Sequence, residues 1–129
     1  MASQHSRVRS IASVPGYGPA NHTGTVNHRL ISAETVGAQG IELLHGTIQP
    51  GDGAARHAHP GMEQVCYVLE GEAEIEIEGE RGRIGPGDCV FFPENAMHEV
   101  KVMGDRPMKI LVIYTPPYGE SPARVRRDV

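Results

Sequence analysis

The sequence predicts a single-domain all-β protein, because short apolar segments alternate with turn residues along the chain. The 129 residues include 16 glycines and 10 prolines, a proportion typical of chains in which many turns join short strands. The clearest strand covers residues 72–78, where Ala73, Ile75 and Ile77 alternate with glutamates and predict one apolar and one solvated face. No segment has a convincing helical period, so we expect a β-sandwich or a closed barrel.

The predicted strands lie between a predicted arm and a predicted tail. Residues 1–26 are rich in Ser, Gly, Pro, Asn and Thr and predict a flexible N-terminal arm, whereas residues 118–129 follow two prolines and predict a C-terminal tail. The domain between them spans residues 27–117. Its predicted strands cover residues 28–32, 41–49, 64–69, 72–78, 83–84, 90–92, 98–103 and 108–115.

Composition argues against several classes of partner. The net charge is -4 and the basic residues are scattered, whereas a nucleic-acid surface needs a basic stripe. The one basic cluster, Arg124, Arg126 and Arg127, is interpreted as a solvated tail. No apolar run reaches membrane-spanning length, and no apolar stretch follows Arg7 and Arg9 as a secretory signal requires. Two cysteines predict two reduced thiols in a cytoplasmic protein.

The most informative feature is a pair of histidines one residue apart, His57 and His59, which follow a Gly-Asp-Gly turn. Side chains at positions i and i+2 of an extended segment point to the same face. Two neutral imidazole nitrogens on one face, with a further oxygen or nitrogen donor nearby, are typical of a transition-metal site. The pair therefore predicts a metal site.

Glycine, histidine and proline recur at fixed spacings in two segments. The first segment has a glycine, five residues, the His-x-His pair and a closing glycine, at Gly51, His57, His59 and Gly71. The second has a glycine, five residues, a proline and, after four more residues, a histidine, at Gly87, Pro93 and His98. In both segments the chain resembles the cupin superfamily, and in particular its small single-domain members. It departs from the second motif at Asn95, in place of a glycine, and at Val102, in place of an asparagine.

The resemblance covers residues 28–116 and implies a double-stranded β-helix, also called a jelly-roll barrel. It implies one divalent transition metal, Mn, Fe, Ni or Zn, in the mouth of the barrel, and a homodimer. The implied ligands are His57, His59, His98 and a residue in the slot that cupins usually fill with glutamate.

That slot, which has six residues between it and Gly71, falls on Gln64, whereas Glu63 lies one position early. Neighbouring strand residues face opposite ways, so only one of them enters the cavity. We expect Gln64 to face inward as the fourth ligand. The alternatives are that Glu63 enters through a bulge, or that Gln64 only hydrogen-bonds His59.

Four neutral donors would leave the full charge of a divalent ion in the pocket and favour a small oxygenated anion as ligand. The leading hypothesis is a non-redox enzyme (isomerase, lyase or hydrolase) that polarises a carbonyl group. A metal-dependent dioxygenase is the alternative, because Fe(II) oxygen chemistry suits two histidines and a carboxylate. A third hypothesis is a module that only binds or senses a small molecule.

No general base is evident from the sequence. Uronate-linearising cupins carry an aspartate and an arginine where this chain has Val112 and Tyr118, so that reaction is not predicted. Among the remaining candidates, Cys66 shares the parity of Gln64 and is a candidate cavity residue, whereas Cys89 is expected in the core. His45 is expected either in the cavity or at the surface. His5, His22 and His28 are expected to be solvated.

Overall fold

The computed structural model describes residues 5–127 and contains two antiparallel sheets that share one core. The first sheet contains β1 (Gly16–Tyr17), β2 (Thr25–Ile31), β3 (Glu42–Ile48), β5 (Glu63–Glu70), β8 (Cys89–Phe92) and β10 (Met108–Thr115), in the order β1-β2-β3-β10-β5-β8. The second contains β4 (Gly53–Ala58), β6 (Glu72–Ile77), β7 (Glu80–Ile84), β9 (His98–Met103) and β11 (Arg126–Arg127), in the order β11-β4-β9-β6-β7. This two-sheet jelly roll confirms the predicted fold class.

Helical structure within residues 5–127 is limited to short turns. The helix α1 (Ala33–Val36) begins at Ser32, whose side chain accepts a hydrogen bond from the Thr35 backbone, and ends at Gly37 with a left-handed backbone at φ 75°. Two 3-10 turns cover Ile11–Ser13 and Pro122–Arg124. Each is too short to produce the periodic apolar pattern by which a helix is recognised in a sequence.

The core lies between the inner faces of the two sheets. Its most completely buried apolar side chains, each at most 2% exposed, include Leu44, Ile48, Val68, Val102 and Met108. Strand β6 contributes the buried Ala73, while Ile75 and Ile77 pack against the core and remain partly exposed. The alternating pattern of this strand therefore predicted its apolar face. Full burial of an aliphatic side chain such as Leu44 or Val68 contributes about 1.5–3 kcal/mol.

Both terminal segments contribute strands. Gly16–Tyr17 pairs with β2 and Arg126–Arg127 pairs with β4, so residues within the predicted arm and tail extend the sheets. The division of the chain at residues 27 and 117 stays a prediction.

A buried ion pair connects these terminal segments to the barrel. Glu42, only 1% exposed, lies 3.1 Å from Arg29 Nε, and the Arg29 guanidinium lies 4.7 Å from the Tyr17 ring centre. The Tyr17 hydroxyl donates to Glu120 Oε1 at 3.3 Å, which joins β1 to the loop after β10. Removing Arg29 would leave the buried Glu42 carboxylate without this charged partner, which is destabilising.

Close contact between β4 and β9 positions the candidate site. A Cβ atom at Gly53 would overlap the carbonyl oxygen of Val100, so only glycine lets the two strands approach here. The register between the two strands is irregular from Ala54 to His57, and His57 then pairs directly with His98. His57 and His98, 41 positions apart in the sequence, therefore bring the two motifs together across a single strand pair.

Candidate metal centre

Three histidines meet at one end of the barrel. His57 lies in β4, His98 begins β9, and His59 follows the last residue of β4. They are 3%, 3% and 5% exposed. One nitrogen from each residue forms a group in which all three ligand atoms lie within 4.8 Å of one another. The structure therefore brings together the three predicted histidine ligands.

Backbone carbonyls fix the protonation of these imidazoles. His57 Nδ1 lies 2.6 Å from the Ala55 oxygen, His98 Nδ1 lies 3.0 Å from the Ala96 oxygen, and His59 Nδ1 lies 2.8 Å from the Arg124 oxygen. A carbonyl oxygen only accepts hydrogen bonds, so Nδ1 carries the proton in each ring. Each Nε2 atom then presents a lone pair, which is the form of histidine that binds a metal.

The distances fit a single metal ion. The Nε2 atoms of His57 and His59 lie 3.1 Å apart, and the ring centres within the triad are separated by 4.4 to 5.5 Å. Two nitrogens bound to one metal at about 2.0–2.1 Å in a tetrahedral site lie roughly 3.3 Å apart. The residues present therefore fit a metal held by three Nε2 atoms.

Burial keeps the triad neutral. It lowers the pKa of His98 to about 3, with a further contribution from the neighbouring His57, and it lowers the pKa of His59 to about 4. The pKa of His57 is also lowered, chiefly by burial. Neutral imidazoles are the metal-binding form, so at neutral pH no proton competes with the metal.

Gln64 and Glu63 occupy opposite sides of β5. Gln64 lines the cavity beside the triad, and its Oε1 atom is buried without a hydrogen-bond partner. Glu63 is exposed. A buried amide oxygen without a partner is costly unless another group satisfies it, and a metal on the triad is one such group.

His22 is the functional candidate that the sequence analysis misjudged. It was expected to be solvated, but it is half-buried, lines the same cavity and lies edge-on to His57, with ring centres 5.9 Å apart. Burial lowers the pKa of His22 to about 4. No sequence signal identified it, since it lies 35 positions before His57 and outside both motifs.

Other candidates are distributed between the cavity and the surface. Cys66, Val112 and Tyr114 line the cavity, and burial raises the pKa of the Cys66 thiol to about 12 and that of the Tyr114 hydroxyl well above its usual range. Cys89, expected in the core, is exposed because it lies on the outer side of β8. His45 is buried but does not line the cavity.

The lining of the cavity is electrically neutral. Among residues 5–127, those that line it include no Asp, Glu, Lys or Arg. Its free space is about 40 Å³, which suits a metal ion with one or two water-sized ligands rather than a bulky molecule enclosed in the barrel. The exposed cations Arg126 and Arg127 lie nearby on β11, where Arg127 pairs with His57. A divalent ion would therefore be the dominant charge in this cavity.

Sequence comparisons relate the chain to one protein family and to several known proteins. The sequence model of a family described as "Cupin domain" matches residues 44–114. "Tetracenomycin polyketide synthase protein TcmJ" of Streptomyces glaucescens is 23% identical over 118 residues, which cover 88% of this chain and 79% of TcmJ. "Dimethylsulfoniopropionate lyase DddQ" of Ruegeria pomeroyi is 42% identical over 59 residues, 45% of this chain and 28% of the lyase.

Solved structures show the same fold. The polyketide cyclase RemF from Streptomyces resistomycificus superposes with a TM-score of 0.74 at 22% identity, covering 100% of this chain and 86% of RemF. The chain thus spans most of TcmJ and RemF but little more than a quarter of DddQ. Within residues 5–127, no helix is both long enough and apolar enough to cross a membrane.

Proposed function

The chain belongs to the cupin family, and from this premise we propose that it is a non-redox metal enzyme acting on a small oxygenated anion. The proposed ligands are Nε2 of His57, His59 and His98 together with Oε1 of Gln64. The proposed metal is a single divalent ion, Mn, Fe, Ni or Zn. Such an ion supplies Lewis-acid polarisation of a bound carbonyl group.

The neutral lining of the cavity is the observation that carries this proposal. Since the described lining residues have no carboxylate, the chain does not offset the +2 charge of an ion held there. An anion would neutralise that charge. Arg126 and Arg127, which are exposed on the edge strand β11 beside β4, would attract it toward the mouth. A carboxylate or enolate that also carries a carbonyl oxygen is therefore the substrate class that the site suits.

The lack of a carboxylate among the described lining residues also favours the proposed chemistry over the dioxygenase alternative. Fe(II) oxygen chemistry suits two histidines and one carboxylate, whereas the adjacent carboxylate here, Glu63, is exposed. Isomerisation, elimination and hydrolysis need only polarisation of a carbonyl and movement of a proton. Polyketides carry repeated carbonyl groups, so the similarity to a polyketide synthase protein supports carbonyl chemistry as well.

Proton exchange next to a carbonyl tests the proposed function. Untagged protein loaded with Zn²⁺, Mn²⁺, Ni²⁺ or, without oxygen, Fe²⁺ would be incubated in D₂O with small 2-oxo acids and acetoacetate, and deuterium incorporation followed by NMR. We expect metal-dependent exchange that is lost in His98→Gln, with no oxygen consumption when the Fe²⁺ protein is exposed to air. Substrate-dependent oxygen consumption, or exchange equal in His98→Gln, would contradict the proposal.

We also propose that a second copy of the chain packs on the outer face of the six-stranded sheet. Tyr67, Leu69 and Phe91 are 42%, 39% and 52% exposed on adjacent strands β5 and β8, and Val26 on β2 is 47% exposed. Exposed apolar patches of this kind mark interaction sites. An apolar patch can pair with the same patch of a second copy about a twofold axis, and the homodimer implied by the family resemblance agrees with such an arrangement.

The cytoplasmic location predicted from cysteine usage stays a prediction. Both Cys66 and Cys89 are free thiols, which agrees with a reducing compartment.

A further inference from the structure

A short segment before β2 holds His22 beside the candidate metal centre. His22 forms an isolated antiparallel bridge with Ala54. On either side of it, the Thr23 amide donates to the Gly53 oxygen at 2.9 Å and the Asn21 oxygen accepts from the Ala55 amide at 2.7 Å. Two backbone hydrogen bonds to β4, one before and one after His22, therefore fix this imidazole next to the strand that carries His57.

The His22 ring is close to the triad but outside its ligand distance. Its centre lies 5.9 Å from that of His57, compared with 4.4 Å between His57 and His98. Among the described residues, the group whose ligand atoms all lie within 4.8 Å contains His57, His59 and His98 without His22. An ion on the triad would therefore contact His22 through an intervening molecule rather than directly.

Two unpartnered polar atoms belong to side chains that line the cavity around this position. Nδ1 of His22 and Oε1 of Gln64 are both buried without a hydrogen-bond partner, and both side chains line the same cavity. A metal on the triad accounts for Gln64 as a fourth ligand. Nδ1 of His22 would still lack a hydrogen-bond partner, and a second group bound in the cavity would supply one.

We propose that His22 binds the small anion that occupies the metal site, by donating a hydrogen bond from its imidazole to that anion. This inference rests on the proposed function, since it requires an ion on the triad. An imidazole carries at least one N–H donor in both its neutral and its protonated form, so the ring can make this bond. The N-terminal segment thereby becomes part of the ligand-binding site instead of a peripheral arm.

Two other polar residues that line the cavity, Thr25 and Cys66, are less suited to this role. The Thr25 hydroxyl already donates to the Thr23 oxygen at 2.8 Å. The Cys66 thiol is only a weak donor. His22 is thus the lining side chain outside the proposed ligand set that combines an unpartnered nitrogen with close contact to the triad.

Azide binding to the Co²⁺-loaded protein tests the inference with a spectroscopic readout. Azide is a small anion that binds open metal positions, and its binding changes the visible absorption of Co²⁺. We would compare wild type with His22→Leu, which removes the donor at similar volume, and with His22→Asn, which keeps an N–H near the position of Nδ1. His28→Ala is the matched control, because His28 lies on β2 close to the same segment but does not line the cavity.

We expect all four proteins to bind one equivalent of Co²⁺ with similar affinity. In His22→Leu the dissociation constant for azide should rise roughly tenfold, as expected for loss of one hydrogen bond to a charged group. His22→Asn should recover most of that loss, and His28→Ala should match wild type.

Three outcomes would overturn the inference. Equal azide affinity in wild type and His22→Leu would show that His22 lines the cavity without binding the anion. A large loss of Co²⁺ affinity in folded His22→Leu and His22→Asn would make it a metal ligand instead. Wild-type protein that binds no Co²⁺ would overturn the proposed function together with this inference, and so is distinguishable from the first two.

Discussion

The Nε2 atoms of His57 and His59 lie 3.1 Å apart, although the proton of each ring is held on the opposite nitrogen. Both Nδ1 atoms hydrogen-bond backbone carbonyls, so two lone pairs face each other at this distance. Facing lone pairs repel unless a cation lies between them. The relationship therefore suits a shared metal ion. The irregular part of β4 at Ala55 and the 3-10 turn that carries Arg124 supply the two carbonyls.

The first prediction is that a bound metal stabilises the fold. Zn²⁺ added to a free concentration about 100 times its dissociation constant should stabilise the protein by about 2.7 kcal/mol, which raises Tm by about 10 °C for a chain of this size. Differential scanning fluorimetry of wild type and His98→Gln checks this prediction. A similar rise in His98→Gln would place the stabilising metal elsewhere.

The second prediction concerns the pH dependence of the metal-free protein. In the folded chain, burial lowers the pKa of His22 and His59 to about 4 and that of His98 to about 3, whereas unfolded histidines titrate near about 6.5. Below about pH 6.5 the unfolded chain thus binds protons that the folded chain does not. Stability should be complete above that pH and should fall as the pH drops toward about 4, by about 1 kcal/mol per histidine per pH unit.

Urea denaturation of metal-free protein between about pH 7 and about pH 5 measures this slope. His98→Gln should have a shallower slope by about one histidine. A free energy of unfolding that is constant over this range would show that the buried imidazoles accept protons without cost.

The third prediction distinguishes the two neighbouring side chains of β5. Gln64→Ala should weaken Co²⁺ binding at least roughly tenfold, because it removes a donor from the cavity. Gln64→Glu should retain the metal but weaken azide binding, since the carboxylate lowers the charge of the site. Glu63→Gln, a change at the adjacent exposed position, should leave both affinities unchanged. If Glu63→Gln lowered metal affinity instead, a carboxylate ligand and oxygen chemistry would become the better account.

The fourth prediction is that the outer face of the six-stranded sheet mediates dimerisation. Phe91→Glu would place a charge in the exposed apolar patch and should shift the protein from dimer to monomer in sedimentation velocity. Arg83→Glu, at an exposed position of the other sheet, should leave the dimer intact. A wild-type monomer at micromolar concentration, or an unchanged dimer in Phe91→Glu, would contradict the proposed interface.

Much of the fold was predictable because its strands carry local signals. The alternation in residues 72–78 predicted β6, and β9 and β10 begin and end at the predicted residues 98–103 and 108–115. The strands β1 and β11 each contain two residues, which is too short for an alternating pattern. They form only because the barrel presents neighbouring strands for them to pair with.

The candidate site was predictable only where a motif marks it. His57, His59 and His98 follow from fixed spacings, but the position of His22 depends on hydrogen bonds from Asn21 and Thr23 to β4. The hydrogen bond between His59 and the Arg124 oxygen spans 65 positions and uses a backbone atom that every residue possesses. Such contacts have no residue-type signature, so they become visible only in the folded chain.

Metal content is the measurement that tests the central claim most directly. Protein purified without a polyhistidine tag, loaded with Zn²⁺ and dialysed, would be analysed by mass spectrometry of the metal beside a His57→Ala/His98→Ala variant whose folding is verified by circular dichroism. The account predicts about one equivalent of metal in wild type and very little in the variant. Wild type without metal, or a folded variant that retains one equivalent, would contradict it.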